Sequence, residues 1–120
     1  MIRVVIVDDE PDFIKLFHYY LAQTCGITIV GEANNGTAGI ELVKILSPDA
    51  IITDMNMPDM TGLDVIRAVT EGYPSTKSIL TSGNTDPGYL SLAEQEGAIA
   101  FIPKTRLSAH SILEALKLEA

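Results

Sequence analysis

Residues 2–10 read Ile-Arg-Val-Val-Ile-Val-Asp-Asp-Glu, a nearly continuous apolar run that ends in three consecutive acids. An apolar run without polar alternation is typical of a strand buried on both faces, as in a parallel sheet. Four more short runs follow, at 27–30, 50–53, 78–81 and 99–102. The sequence therefore predicts five buried strands, and the first of them ends in carboxylates.

Helical patterns separate the predicted strands. The first begins with Pro11 in its opening turn, ends at Gly26 and has an apolar face of Phe13, Leu16, Phe17, Tyr20 and Leu21. A second helix is expected over 37–46, with an apolar face of Ala38, Leu42, Ile45 and Leu46.

Three further helices complete the pattern. Thr61 and Asp64 resemble a capping box before a third helix that ends near Gly72. A fourth runs from Asp86-Pro87 to Gly97, with a thin apolar face of Leu90, Leu92 and Ala93. Ser108 caps a fifth, with an inward face of Ile112, Leu113 and Leu116. Five strand–helix alternations predict an α/β fold, in which one domain over residues 1–120 has a parallel sheet covered by helices on both faces.

Composition narrows the classes of partner. The 120 residues carry a formal net charge of −8, which disfavours nucleic acid or an anionic membrane as a direct partner of this segment. Cys25 is the single cysteine, so no internal disulfide forms. No apolar run approaches about 20 residues, and the N-terminus lacks a signal-peptide layout. We expect a cytoplasmic protein without a membrane span.

The candidate chemistry lies where the strands end. Ligands of such sheets bind beyond the carboxyl ends of the strands. Four separate segments deliver polar groups there, namely Asp8, Asp9 and Glu10, then Asp54, then Thr81, Ser82 and Gly83, and finally Lys104. Clustered carboxylates repel one another unless a cation intervenes, and hard oxygen ligands suit Mg²⁺. Asp54 is the best nucleophile because it stands alone at the end of a central strand.

Each of these residues also has an ordinary interpretation. Asp8 and Asp9 can begin a helix, where acids suit the helix dipole. Asp54 can cap a turn, and Lys104 can be a solvated surface charge. Their joint occurrence at the ends of separate strands favours a phosphoryl-transfer site over these separate roles.

Four motifs resemble the receiver domain of bacterial two-component response regulators. They are Val-Asp-Asp-Glu-Pro at 7–11, Asp-Met-Asn-Met-Pro-Asp-Met-Thr-Gly at 54–62, Thr-Ser-Gly at 81–83 and Phe-Ile-Pro-Lys at 101–104. In this order and at this spacing they are specific, and the resemblance extends from Arg3 to Leu118. It implies a flavodoxin-like (βα)5 fold with strand order 2-1-3-4-5.

The resemblance also implies a role for each matching residue. Asp54 corresponds to the aspartate that accepts phosphoryl from a histidine kinase's phosphohistidine. The implied ligands of Mg²⁺ (or Mn²⁺) are Asp9 directly, Asp8 largely through water, Asp54 itself and the backbone carbonyl of Asn56. Lys104 corresponds to the site lysine, and Ser82 and Phe101 to the switch pair.

Smaller contributions follow from the same resemblance. Pro58 and Gly62 shape the phosphorylation loop, and Gly83 lets the backbone approach the phosphoryl group. Asn56 and Asn84 occupy positions that tune how fast the acyl phosphate hydrolyses. Many receivers have proline after the lysine, whereas this chain has Thr105, for which a trans peptide is expected.

The implied output is a change of surface rather than an enzymatic reaction. The fourth helix, fifth strand and fifth helix form the responding surface, and activity is limited to slow self-phosphorylation from small donors and autodephosphorylation. The implied partners are a sensor histidine kinase and an output domain or downstream protein. The second strand and following turn, Val-Gly-Glu-Ala-Asn-Asn-Gly at 30–36, resemble those of receivers in DNA-binding regulators. This favours a piece of a longer DNA-binding regulator over a stand-alone receiver, and dimerisation on phosphorylation is left open.

Three other functions stay in competition. A flavin module would need a phosphate-binding loop after the first strand, where this chain has acids. A haloacid-dehalogenase-type phosphatase would need a second acid at the position of Asn56. An unphosphorylated protein-binding scaffold of the same fold would not need the intact set of site residues.

Overall fold

The computed structural model describes residues 1–22, 26–83 and 87–117. The strands are β1 (Ile2–Val7), β2 (Ile27–Ala33), β3 (Ala50–Asp54), β4 (Lys77–Ser82) and β5 (Ala100–Pro103). The helices are α1 (Pro11–Ala22), α2 (Gly36–Leu46), α3 (Gly62–Gly72), α4 (Pro87–Glu96) and α5 (Ala109–Lys117). Each predicted strand and helix is present. A 3-10 helix over Lys104–Arg106 was not predicted.

The five strands form one parallel sheet in the order β2-β1-β3-β4-β5, as predicted. β1 therefore lies between β2 and β3, and its last residue, Val7, pairs with Ala33 on one side and Thr53 on the other. The register between β1 and β2 shifts after Val4, which leaves Val30 bulged in the edge strand.

This register aligns the ends of the strands that carry the site. Asp54 at the end of β3 pairs with Thr81 of β4, and Ser82 pairs with Pro103 of β5. Asp8 follows directly after β1, and Lys104 directly after β5. All four polar residues therefore reach the same edge of the sheet.

Alternate residues of β1 supply two different cores. Val4 and Ile6 pack in the layer that contains Phe17 of α1 and Ile112 of α5. Val5 and Val7 belong to the opposite layer, which contains Val43 of α2, Val65 and Val69 of α3. A third cluster joins Ile66 and Leu80 to Ala93 of α4. Burial on both faces explains why the strand sequences do not alternate.

The apolar faces predicted for α1, α2 and α4 were partly wrong. Leu16 is 38% exposed, Ile45 66%, and Leu90 and Leu92 about as exposed as Leu16. In α2 the buried line is instead Gly36, Gly39 and Val43. Small residues let this helix approach Val7 closely, and Ile45, two positions after Val43, then points to the far side of the helix.

Capping interactions define where several helices begin. Thr61 and Asp64 form the predicted capping box of α3, with both reciprocal bonds present. The Ser108 hydroxyl accepts from the Ser111 N–H, as expected for the start of α5. Asn35 caps α2 by accepting from the Ala38 N–H at 2.8 Å. Among the described residues every peptide bond is trans, including the one before Thr105.

The end of α4 is fixed to α3 by charge and by shape. The Arg67 guanidinium makes a two-point contact with the Glu96 carboxylate, through Nε at 2.8 Å and Nη2 at 2.9 Å. Gly97 follows with φ of 112°, and a side chain there would collide with Thr70 of α3. Both contacts lie at the C-terminal end of α4.

Within the ranges described above, none of the helices combines the length and apolar character needed to cross a membrane.

We predict that Gly39→Ala lowers the free energy of unfolding by about 1–3 kcal/mol, the usual effect of overpacking a core. The added Cβ would lie 2.6 Å from Cγ2 of the buried Val7. Gly72→Ala is the matched control, because a Cβ there meets nothing within 4 Å. We expect it to be neutral or to stabilise by up to about 1 kcal/mol. Urea denaturation followed by circular dichroism measures both, and equal effects of the two variants would contradict the packing argument.

Candidate functional site

The end of β1 and the end of β3 each bury one carboxylate. Asp8 and Asp54 are 1% and 4% exposed, whereas Asp9 and Glu10 are exposed beside them. The Asp8 side chain accepts from the Glu10 N–H at 2.9 Å, and Asp54 accepts from the Met55 N–H at 2.9 Å. These bonds hold the two carboxylates at the edge of the sheet, facing each other across the β1–β3 pair.

Lys104 is the cation that joins the acidic residues. Its Nζ lies 3.1 Å from Asp8 Oδ2, 3.4 Å from Asp54 Oδ1 and 3.2 Å from Glu10 Oε1. The same nitrogen stands 3.9 Å from the centre of the Phe13 ring, within the range of a cation–π interaction. Only 7% of the Lys104 side chain is exposed, so water screens these interactions little.

Burial raises the pKa of Asp54 from 3.8 to about 6, and the neighbouring charge of Asp8 adds to the rise. Lys104 and the Met55 N–H act in the opposite direction but do not cancel it. Burial likewise raises the pKa of Asp8. For Lys104, burial alone would lower the pKa, but the neighbouring carboxylates of Asp8, Asp54 and Glu10 raise it overall. The lysine therefore stays charged, while Asp8 and Asp54 hold protons more tightly than free carboxyl groups.

The arrangement suits a divalent cation. Asp8, Asp9, Glu10 and Asp54 each offer an oxygen, and these oxygens lie within 4.8 Å of one another. Asp8 Oδ2 is buried and, among the described residues, has no hydrogen bond of acceptable geometry, although it forms an ion pair with Lys104. We regard that contact as a charge interaction without an aligned donor. An unsatisfied carboxylate oxygen in an acidic cluster fits a cation or its bound water.

An open cavity of about 820 Å³ gives access to these groups. It is lined by Asp9, Glu10, Phe13, Asp54, Asn56, Gly83, Lys104 and Thr105. Polar side chains from three segments, together with the backbone of Gly83, thus line one solvent-accessible space. A phosphate-sized group can enter it and reach the Asp54 carboxylate.

The loop between β3 and α3, residues 55–61, forms one wall of this cavity. Its two ends are joined by the Gly62 N–H donating to the Met55 carbonyl at 2.7 Å, and by an antiparallel bridge between Asn56 and Thr61. A Cβ on Gly62 would collide with the Asp54 carbonyl oxygen. Glycine is therefore needed at 62 to close the loop beside Asp54. Pro58 lies exposed in the same loop.

The other residues singled out from the sequence lie around the cavity. Ser82 is fully buried at the end of β4, next to the residue that pairs with Asp54. Phe101 of β5 is partly buried and packs in the cluster that contains Ala93 of α4. A Cβ on Gly83 would meet no atom of the described residues within 4 Å, so packing against that part of the chain does not require glycine there. Asn84 lies outside the described residues.

Three contributors to the site were not assigned from the sequence. Glu10 was noted as an acid but not as a partner of Lys104, and its position beside the acidic pair was the available signal. Phe13 was assigned only to the face of α1. Asp59 was interpreted as an ordinary loop acid, but its carboxylate accepts three hydrogen bonds from the first residues of α2, Gly36 and Thr37. No local sequence pattern indicates the contact of Phe13 with Lys104 or that of Asp59 with the start of α2.

We predict that Asp54→Asn stabilises the metal-free protein at pH 7.5 by about 1–2 kcal/mol, a fraction of the full linkage value because the cavity is open to water. The raised pKa of Asp54 means that the folded state binds a proton more tightly than the unfolded state. Wild-type stability therefore falls as pH rises from about 4 through 6. The advantage of Asp54→Asn should vanish near pH 4.

Urea denaturation in EDTA at several pH values tests this, with Glu41→Gln, an exposed acid of α2, as control. A pH-independent difference between wild type and Asp54→Asn would contradict the assigned pKa shift.

Comparison with known proteins identifies the family of this chain. The family model of the response regulator receiver domain matches residues 4–117. The transcriptional regulatory protein DegU of Brevibacillus brevis is 30% identical over 119 residues, which cover 99% of this chain and 50% of that protein. A protein-glutamate methylesterase/protein-glutamine glutaminase of Oleidesulfovibrio alaskensis is 35% identical over 120 residues, which are 99% of this chain and 32% of that protein. The chain thus spans half or less of the length of these relatives.

A solved structure agrees with the sequence relatives. The signal receiver domain of the response regulator NarL from Mycobacterium tuberculosis superposes with a TM-score of 0.87 at 33% identity, covering 97% of this chain and 96% of that one. Fold, sequence and the acidic edge of the sheet lead to the same family. The chain belongs to the receiver-domain family of two-component response regulators.

Proposed function

We propose that this receiver domain is a phosphoacceptor in which Asp54 takes a phosphoryl group from the phosphohistidine of a sensor histidine kinase. The observation that carries the proposal is the buried Asp54 carboxylate, 3.4 Å from Lys104 and open to a cavity large enough for a phosphoryl group. The burial that raises its pKa to about 6 leaves Asp54 mostly ionised at neutral pH, yet more basic than a free carboxylate. Both properties suit a nucleophile.

The proposed reaction forms one bond and breaks one. A carboxylate oxygen of Asp54 bonds to phosphorus, and the phosphorus–nitrogen bond to the kinase imidazole breaks. The imidazole leaves with the electron pair and takes a proton from solvent. Such transfers depend mainly on positioning and on neutralising the phosphoryl oxygens.

Lys104 is proposed to supply the fixed positive charge. In the present arrangement its ammonium forms ion pairs with Asp8, Glu10 and Asp54. A phosphoryl group on Asp54 would add negative charge within reach of the same nitrogen. Because Phe13 and the strand ends confine the ammonium, little side-chain freedom remains to be lost when the phosphoryl group arrives.

The acidic cluster is proposed to hold Mg²⁺ through Asp9, Asp54 and the backbone carbonyl of Asn56, with Asp8 acting through bound water. The buried Asp8 Oδ2, which receives no aligned hydrogen bond from the described residues, and the convergence of four acids support this choice. When bound, Mg²⁺ supplies positive charge that offsets the repulsion between the carboxylates and the incoming phosphoryl oxygens.

Phosphorylation is proposed to act on the surface formed by α4, β5 and α5. Ser82 would move toward the new phosphoryl group, and Phe101 would turn into the space it leaves. Phe101 packs in the same cluster as Ala93 of α4, so its rotation would bias that helix. Asn56, and Asn84 outside the described residues, are proposed to set the phosphate lifetime. The catalysis expected of the domain is limited to slow self-phosphorylation from small donors and autodephosphorylation.

We propose that the domain is the N-terminal part of a longer cytoplasmic regulator. Two considerations support this: the chain spans half of DegU, a transcriptional regulatory protein, and the net charge of −8 makes direct DNA contact by this segment unfavourable. DNA binding would then belong to another domain. The methylesterase relative indicates that receivers also accompany enzymatic outputs. An unphosphorylated scaffold is less well supported because it leaves the acid–lysine cluster without a purpose.

We predict that acetyl phosphate with Mg²⁺ adds one phosphoryl group to the wild-type chain, seen as an increase in intact mass. Asp54→Asn should gain none, because the amide is not a nucleophile. Asp49→Asn is the matched control, since it changes another aspartate next to β3, at the opposite edge of the sheet. Equal phosphate gain in Asp54→Asn and wild type would exclude Asp54 as the acceptor, and no gain in wild type would favour the scaffold.

We also predict that Mg²⁺ at 100 times its dissociation constant raises the free energy of unfolding of wild type by about 2.7 kcal/mol, as expected for a ligand that binds only the folded state. Asp9→Asn should lose most of this gain. Asp12→Asn, an exposed acid in the first turn of α1 outside the cluster, should keep it. Thermal or urea unfolding with Mg²⁺ and with EDTA measures the difference, and an equal response of both variants would place the cation elsewhere.

A further inference from the structure

The tip of the loop over residues 55–61 is held by a contact that its own sequence does not reveal. The Asp59 carboxylate accepts from the Gly36 N–H at 2.8 Å, the Thr37 N–H at 2.9 Å and the Thr37 hydroxyl at 2.6 Å. These three bonds, the Asp59 clasp, join the loop after β3 to the start of α2. The joined residues are 22 and 23 positions apart in the chain.

The clasp is more than the ordinary cap of α2. That helix already has a cap, because the Asn35 side chain accepts from the Ala38 N–H. Asp59 takes the N–H groups of the two residues before Ala38 from outside the helix. With the Thr37 hydroxyl bond as the largest cause, these bonds lower the pKa of Asp59 to about 2. The carboxylate is therefore ionised throughout the neutral pH range.

A second contact fixes the same junction. A Cβ on Gly36 would collide with the Met60 side chain, with Sδ only 2.7 Å away. Met60 therefore fills the space that a side chain at position 36 would need. The residue after Asp59 packs against the helix that Asp59 binds.

The loop carries a proposed metal ligand close to the clasp. Its base is closed by the Asn56–Thr61 bridge and by the bond from Gly62 to Met55. Asn56, three residues before Asp59, lines the cavity. Two residues separate Asn56 from Asp59, so fixing Asp59 restrains the backbone on the carbonyl side of Asn56. Among the described residues, the polar bonds that tie this tip to another part of the chain are those of Asp59.

We infer that Asp59 is a positioning residue that orients the backbone of Asn56 for the cation by holding the loop to the start of α2. The inference rests on the proposed function, since it assumes that Mg²⁺ binds at the acidic cluster. Asp59 touches neither the cation nor the reacting atoms. Its loss should weaken Mg²⁺ binding while the phosphorylation rate at saturating Mg²⁺ stays close to wild type.

The test compares Asp59→Ala with Asp49→Ala. Both remove one exposed negative charge and at least one bond to a backbone N–H, since Asp49 accepts from Arg3 at 2.8 Å. Asp49 precedes β3, at the edge of the sheet opposite the cluster. Calorimetric titration with Mg²⁺ should show a dissociation constant about tenfold higher for Asp59→Ala, the usual effect of losing a residue that orients a metal ligand. Asp49→Ala should bind like wild type.

Thr37→Val separates orientation from charge. It removes the 2.6 Å hydroxyl bond without changing the charge, and Thr37→Ser should restore it. We expect Thr37→Val to weaken Mg²⁺ binding in the same direction as Asp59→Ala but less, and to add little in the double variant. Amide hydrogen exchange of residues 57–61 without metal should be faster in Thr37→Val and Asp59→Ala, and unchanged in Asp49→Ala.

The outcomes separate the two levels of the argument. If wild type binds no Mg²⁺ and gains no phosphate, the proposed function fails. If wild type does both but Asp59→Ala binds Mg²⁺ like wild type, the positioning role alone is overturned. If Asp49→Ala or Thr37→Ser weakens Mg²⁺ binding as much as Asp59→Ala does, the cause is general destabilisation of the fold. The inference is then also overturned.

Discussion

Two carboxylates that would otherwise repel each other are buried at one edge of this sheet, and a single ammonium holds them there. Asp8 and Asp54 come from neighbouring strands, and Lys104 arrives from β5 at the far side of the sheet. Without a counter-charge, burial of both acids would cost several kcal/mol. The strand order, the register that aligns the strand ends and the 3-10 turn after β5 all serve to bring these charges together. The strand arrangement of the fold therefore provides the counter-charge that the buried acids of the site require.

Much of this arrangement was predictable from local sequence. Strands buried on both faces lose their alternation, so runs such as 50–53 stand out against the amphipathic helices. Caps are encoded within four residues, which is why the Thr61–Asp64 pair marked the start of α3 correctly. The carboxyl ends of parallel strands meet at one edge, so the sequence alone predicts that Asp8, Asp54 and Lys104 lie together.

The apolar faces of the helices were predicted wrongly where close packing of the backbone, and not side-chain size, decides which residues are buried. Ile45 was expected inside because it is large and apolar, but α2 meets the sheet through Gly39 and Val43, and the close approach turns Ile45 to water. Contacts between distant segments were equally invisible. Asp59 binds the start of α2, and Phe13 lies beside Lys104, but neither pair shares a local motif. Burial, register and hydrogen-bond direction decide such contacts, and they exist only once the chain is folded.

The bidentate contact between Arg67 and Glu96, together with the close packing of Gly97 against Thr70, restricts how α4 can move. With its last residue anchored, this ten-residue helix is a lever about 15 Å long whose fulcrum lies at Glu96. A tilt that preserved the contact between Arg67 and Glu96 would displace the beginning of the helix most and leave its end nearly still. The exposed leucines between these points, Leu90 and Leu92, would sweep through intermediate distances. For a given tilt, the displacement of each residue would therefore increase with its distance from Glu96.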